Sequence, residues 1–159
     1  MTQFDAYRYD GRRALVVGGA TGMGAAVAEL AKDAGAEVVV MDRAEITLPG
    51  VKAIHLDLSD KASIDAAVEE CGGPVHALFS CAGVADGTPG IERINFIGHR
   101  YLIDKLLEGG MLPRGAAIGM ISSAAGFGWQ ANLERLGEYL AVTDFDEATQ
   151  WAQDNGKAD

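Results

Sequence analysis

Gly18, Gly22 and Gly24 stand in the segment Val17-Gly18-Gly19-Ala20-Thr21-Gly22-Met23-Gly24, between a short apolar run and an alanine-rich stretch of helical spacing. Such a turn offers backbone N–H groups and the positive end of a helix dipole to a pyrophosphate, and glycine permits a close approach that a side chain would block. Asp42 ends the second apolar run, 18 residues after Gly24. Its carboxylate can accept both hydroxyls of an adenosine ribose and would repel a 2′-phosphate, which favours NAD over NADP. The neighbouring Arg43 pulls the other way. Asp57-Leu58, after the third run, can set a carboxylate and a backbone N–H at an adenine edge. Each feature also has a plainer reading: a tight turn, a polar strand end and a helix start.

The elements that must hold these residues follow from the hydrophobic pattern. Short apolar runs at Arg13–Gly18, Glu37–Met41, Val51–Leu56, Val75–Phe79 and Ala116–Ile121 read as strands. Helical spacing covers Ala25–Ala34, Lys61–Cys71 (capped by Ser59 or Asp60) and Ile91–Leu107, while the link from the second strand to the third is short for a helix. Near-continuous apolar strands separated by helices predict a parallel sheet covered on both faces, an α/β Rossmann-type doubly wound fold with three α/β/α layers. Ligands of such sheets bind at the carboxyl ends of the strands, where Gly18, Asp42, Asp57, Gly83 and Ser123 fall. The pattern predicts one domain over 1–159, with a core at 12–126. From 127 onward two acidic amphipathic helices, Asn132–Leu140 and Asp144–Gln153, read as an insertion on the rim, with Leu133, Leu136, Leu140, Phe145, Ala148 and Trp151 as its apolar positions.

The whole chain narrows the classes of partner. Its 159 residues carry a net charge of −10, which would repel nucleic acid and anionic membrane surfaces and points to a small-molecule partner instead. No uncharged stretch reaches the roughly 20 residues that span a bilayer, and Met1–Asp10 lacks the layout of a signal peptide. Cys71 and Cys81 have no metal-ligand spacing, so the expectation is two reduced thiols, no metal and a cytoplasmic protein.

The spacing Gly18-x3-Gly22-x-Gly24 resembles that of the short-chain dehydrogenase/reductase family, with Val17 in place of the usual leading threonine. Ser80-Cys81-Ala82-Gly83 resembles the family's Asn-Asn-Ala-Gly segment with both asparagines replaced. Asn95-Phe-Ile-Gly98 resembles its asparagine-bearing helix segment, and Ile121-Ser122-Ser123-Ala124-Ala125-Gly126 its serine-bearing strand end. The resemblance implies an oxidoreductase that moves hydride between NAD and a secondary alcohol or ketone. It implies that Ser123 bonds the substrate oxygen and that Asn95 helps hold a relay water. Cofactor contacts are expected along the turn, Ala20, Thr21 and Met23 included, and at Cys81, Ala82 and Gly83. A homo-oligomer is implied as well.

The family's Tyr-x-x-x-Lys pair does not follow Ser123. Tyr139 is followed four positions on by Thr143, while Tyr101 and Lys105 match the spacing but precede the serine, and they are expected to be structural. The segment from Asn132 resembles the insertion of the bacterial 3α-hydroxysteroid dehydrogenase-like subgroup. That implies a chain truncated before the pair, inactive by itself, and a hydroxysteroid or similarly bulky apolar alcohol as substrate. The alternatives are a redox-inactive NAD-binding or regulatory module and, against the glycine spacing, a methyltransferase.

Overall fold

Ala14, Leu15, Val16 and Val17 are fully buried in β1 (Arg13–Val17), which is apolar on both faces because it lies at the centre of a parallel sheet. A computed structural model describes residues 5–155. The remaining residues of the expected 1–159 domain, and with them part of the Met1–Asp10 segment, lie outside the described residues. After β1 come α1 (Gly22–Asp33), β2 (Glu37–Asp42), β3 (Lys52–His55), α2 (Lys61–Cys71) and β4 (Ala77–Ser80). A π-helical turn at Arg93–Ile97 leads into α3 (Gly98–Glu108), followed by β5 (Ala117–Met120), α4 (Leu133–Ala141) and α5 (Phe145–Asn155).

The five strands are all parallel, in the order β3-β2-β1-β4-β5. Leu15 pairs with Val39 and Leu78, and Val17 with Met41 and Ser80. The order reverses beside β1, so the connections leaving β1 and β4 diverge and open a crevice at their carboxyl ends. This is the Rossmann-type α/β fold. On one face Leu15, Val17, Val39, Met41 and Leu78 pack with Ile64 and Val68 of α2 and Leu102 and Leu106 of α3. On the other, Ala14, Val16, Val38 and Val40 meet Ala28 and Ala31 of α1.

The structure departs from the expected elements in three places. Gly22-Met23-Gly24 is the first turn of α1 rather than a loop, and the chain bends through Ala20 and Thr21 before it. The helix expected over Ile91–Leu107 is interrupted by the π-helical turn around Asn95. The two C-terminal helices are more than a rim insertion, because Tyr139, Phe145 and Ala148 enter the core beside α2 and α3. Leu133 and Leu140, two of the expected apolar positions, are exposed instead. Arg100 holds the end of α4 by donating to the carbonyls of Leu140 and Val142, both at 3.0 Å. Trp151 stacks on Tyr139 with ring centroids 4.9 Å apart.

β5 is an edge strand and all four of its residues are exposed. Ile118 and Met120 are 45% and 54% exposed despite being apolar. Among the described residues α1 is the helix that builds the second core, so the third layer covers β1 and β2 and thins out toward β5.

Candidate functional site

A cavity of about 330 Å³ opens at the carboxyl ends of β1, β2 and β4. Gly18, Thr21, Gly22, Met23, Gly24, Asp42, Arg43, Asp57, Leu58, Cys81, Ala82 and Gly83 all border it. Residues from four separate segments thus meet at the switch point of the sheet.

Its floor exists because two of the glycines carry no side chain. Gly18 has φ +80°, and a Cβ there would stand 2.4 Å from the backbone nitrogen of Ala82. A Cβ on Gly24 would stand 2.0 Å from the carbonyl oxygen of Gly18. The end of β1, the start of α1 and the segment after β4 therefore touch backbone to backbone. Gly22 differs, since a Cβ at φ +57° would meet nothing within 4 Å. Its bare backbone borders the open cavity, where a ligand phosphate needs room. Thr21 precedes α1 in extended conformation and makes no side-chain cap, so its hydroxyl consumes none of the first-turn N–H groups.

Asp42 ties the end of β2 to the turn after β1. Its Oδ2 accepts from the N–H of Ala20 at 2.9 Å and its Oδ1 from that of Ala44 at 2.8 Å. Ala20 was expected to border the cofactor. It is not among the residues around the cavity, and its N–H is already given to Asp42. Asp57 accepts from both the N–H and the hydroxyl of Ser59, at 2.9 and 2.6 Å, and these bonds hold its carboxyl below the usual carboxylate range, with Arg43 and His55 adding to the effect. Asp60, not Ser59, caps α2 through the N–H of Ala62.

Asn95 and Ser123 stand outside the cavity wall. The Asn95 amide accepts from the N–H of Val84 at 2.8 Å and donates to its carbonyl at 3.0 Å, so it grips the segment after β4 rather than facing open space. Ser123 is exposed beyond β5, and its Oγ accepts from the N–H of Ala125 at 3.1 Å. Val84 and Ile94, which border the cavity, went unnoticed in the sequence. Their signal was their position beside Gly83 and Asn95. Burial pushes the Cys81 thiol above its ordinary pKa, which leaves it a poor thiolate on this wall.

Neither tyrosine is poised for proton transfer. Tyr101 donates to Asp65 at 2.8 Å on the neighbouring helix, Lys105 lies 3.5 Å from Glu108, and both border a separate cleft beside Asp104. Partial burial and Asp65 push the Tyr101 phenol up to about 12. Tyr139 is buried between Phe96 and Trp151, and burial pushes it up to about 12 as well. Tyr101→Phe is accordingly expected to cost about 0.5–1.5 kcal/mol of stability in a denaturant titration and to leave dinucleotide affinity unchanged. Among the described residues no group of three His, Cys, Asp or Glu could hold a metal, and no helix is long and apolar enough to cross a membrane.

Known proteins resemble this chain in sequence and in fold. Coniferyl-alcohol dehydrogenase of Pseudomonas sp. (strain HR199 / DSM 7063) is 29% identical over 147 residues, covering 91% of this chain and 56% of its own length. The chain thus spans about half the length of that relative. A solved structure described as ribose-5-phosphate isomerase from Brucella melitensis 16M superposes with a TM-score of 0.66 at 31% identity, over 75% of this chain and 54% of the other. The Pseudomonas aeruginosa RhlG/NADP active-site complex shares the fold at a TM-score of 0.66 and 24% identity, over 79% of this chain and 59% of the other. The family described as short chain dehydrogenase matches residues 12–133, more than half of the chain. With its glycine turn, parallel sheet and crevice in place, the chain belongs to the short chain dehydrogenase family.

Proposed function

We propose that the chain forms the NAD-binding part of an oxidoreductase that moves hydride between a secondary alcohol and a ketone. The observation that carries this reading is the meeting of Asp42 with the glycine turn at one cavity. The residues fit a dinucleotide: Gly22 leaves space for phosphate, Thr21 leaves the first-turn N–H groups of α1 uncapped, and Asp42 sets a carboxylate where ribose hydroxyls can donate. When bound, the nicotinamide supplies the hydride acceptor or donor. Asp57 and Leu58 take the adenine side, Ala82 and Gly83 the opposite wall, and Asn95 keeps that wall in place through Val84.

In the proposed reaction Ser123 donates a hydrogen bond to the substrate oxygen from the end of β5. A bulky apolar alcohol of the hydroxysteroid kind suits the apolar surface that follows, where Phe127 is 90% exposed. We place the protein in the cytoplasm as a homo-oligomer with a small-molecule substrate and no nucleic-acid or membrane partner. The alternative of a redox-inactive NAD-binding or regulatory module is favoured by one observation, that no Tyr-x-x-x-Lys pair follows Ser123 in these residues.

Melting curves with each dinucleotide test the cofactor. At a hundredfold excess over its dissociation constant NAD should add about 2.7 kcal/mol, a rise on the order of 5 °C, and NADP clearly less. Asp42→Ala should erase the difference, and equal protection of the unaltered chain by NADP would show that Arg43 governs the choice.

A further inference from the structure

Ser80, the last residue of β4, and His99, on the first turn of α3, are 4% and 3% exposed. Ser80 Oγ lies 2.5 Å from His99 Nδ1, and His99 Nε2 lies 3.0 Å from the carbonyl oxygen of Ala82. A carbonyl only accepts, so Nε2 carries the ring hydrogen. In the neutral ring Nδ1 is then bare and accepts from the Ser80 hydroxyl. Burial lowers the pKa of His99, in keeping with a neutral ring.

Ser80, Ala82 and Val84 are alternate residues as the chain leaves the sheet. His99 grips the first two. Asn95, four residues earlier on the same helical segment, grips the third through both its N–H and its carbonyl. The held stretch forms the cavity wall at Cys81, Ala82, Gly83 and Val84, and the backbone of Ala82 is the surface against which Gly18 packs. The Ser80 hydroxyl and the Ala82 carbonyl are bonded to the two nitrogens of one ring, so a single side chain of α3 ties the end of β4 to the loop that leaves it.

We infer that His99 is a positioning residue of the cofactor site, acting through Ser80 and Ala82 to set the wall opposite Asp42 at the spacing a dinucleotide requires. It is not among the residues around the cavity. The inference rests on the dinucleotide reading above and adds a requirement that neither the glycine turn nor Asp42 imposes.

The test uses the 159-residue chain with His99→Leu, His99→Gln and Ser80→Ala. Each is measured by calorimetric titration with NAD, by circular dichroism and by backbone amide resonances without ligand. Glutamine can still donate to Ala82 and accept from Ser80, so its affinity should stay within about threefold of the unaltered chain. Leucine should weaken binding about tenfold or more, and Ser80→Ala about three- to tenfold, in line with the loss of one or two buried hydrogen bonds. In ligand-free Ser80→Ala the amides of Ala82, Gly83 and Val84 should shift while those of β2 stay. If leucine prevents folding, Ser80→Ala and the glutamine rescue decide. Folded Ser80→Ala that binds NAD as tightly as the unaltered chain, or glutamine no better than folded leucine, overturns the inference. An unaltered chain that binds neither NAD nor NADP refutes the dinucleotide reading, and unmoved wall amides then refute the positioning role separately.

Discussion

Gly18→Ala is expected to weaken dinucleotide binding roughly a hundredfold, equivalent to about 2.7 kcal/mol, and to destabilise the chain by about 2–4 kcal/mol. Two costs combine at this position. The left-handed φ of +80° disfavours any residue with a Cβ, and the new methyl would lie 2.4 Å from Ala82 N and 2.5 Å from Ala82 Cα. Both are backbone atoms, so no side-chain rotation relieves the overlap. Ala82 cannot retreat freely, because its carbonyl is bonded to His99 and the N–H of Cys81 donates to Val17 at 2.8 Å. The wall therefore moves as a unit, or the glycine turn does, and either change alters the cavity. Gly11→Ala separates the two costs, since Gly11 shares a φ of +71° but would meet nothing within 4 Å. It should lose about 1 kcal/mol and bind NAD normally. If Gly18→Ala does no more than this in a denaturant titration and a binding isotherm, the close approach to Ala82 does not govern the site.

The second large effect concerns catalysis: the 159-residue chain, saturated with NAD, is expected to oxidise secondary alcohols at the background rate. Removing an alcohol proton near neutrality requires a group of suitable pKa at the reacting oxygen. Tyr101 is bound to Asp65 and Tyr139 lies in the core, both with phenols pushed up to about 12. His99 has both ring nitrogens engaged, and Asn95 spends its amide on Val84. Ser123 can orient an oxygen but cannot take its proton. Lacking a positioned acid–base group typically costs about 10²- to 10⁴-fold in rate. Absorbance of the reduced nicotinamide is the measurement. Turnover that survives purification and disappears in Ser123→Ala would reveal a base not recognised among these residues. Activity confined to a longer form with Tyr-x-x-x-Lys after Ser123 would support the hydride-transfer reading over the binding module.

What the sequence disclosed and what it hid have physical reasons. The apolar runs ending at Gly18, Asp42 and Asp57 were legible because strands buried on both faces tolerate few polar residues, and the polarity returns where the sheet ends. Residues at those ends meet at one crevice once the strands are parallel. The Ser80–His99 pair was hidden because its members lie 19 residues apart on elements whose packing no periodicity encodes. Asn95 could be singled out but not its partner, since a bond to the backbone of Val84 leaves no trace in residue types. Tyr139 escaped the list of apolar positions because its hydroxyl reads as polar, although its ring packs between Phe96 and Trp151. The spent N–H of Ala20 was equally invisible, as backbone donors are the same at every residue.

The strand order also imposes a schedule on synthesis. Among the described strands β1 is the first to be made, yet it ends at the middle of the sheet, between two partners that come later. Arg13 and His76, joined across β1 and the start of β4, are 63 residues apart. At about 5–20 residues per second a ribosome needs roughly three to thirteen seconds to make that stretch. Until then Ala14-Leu-Val-Val17 has one open edge, and α3, which covers Leu15 and Val17, is still to be made. The strand at the middle of the sheet thus keeps one edge unpaired for seconds after it is made, a hazard of the nascent chain rather than of the finished one.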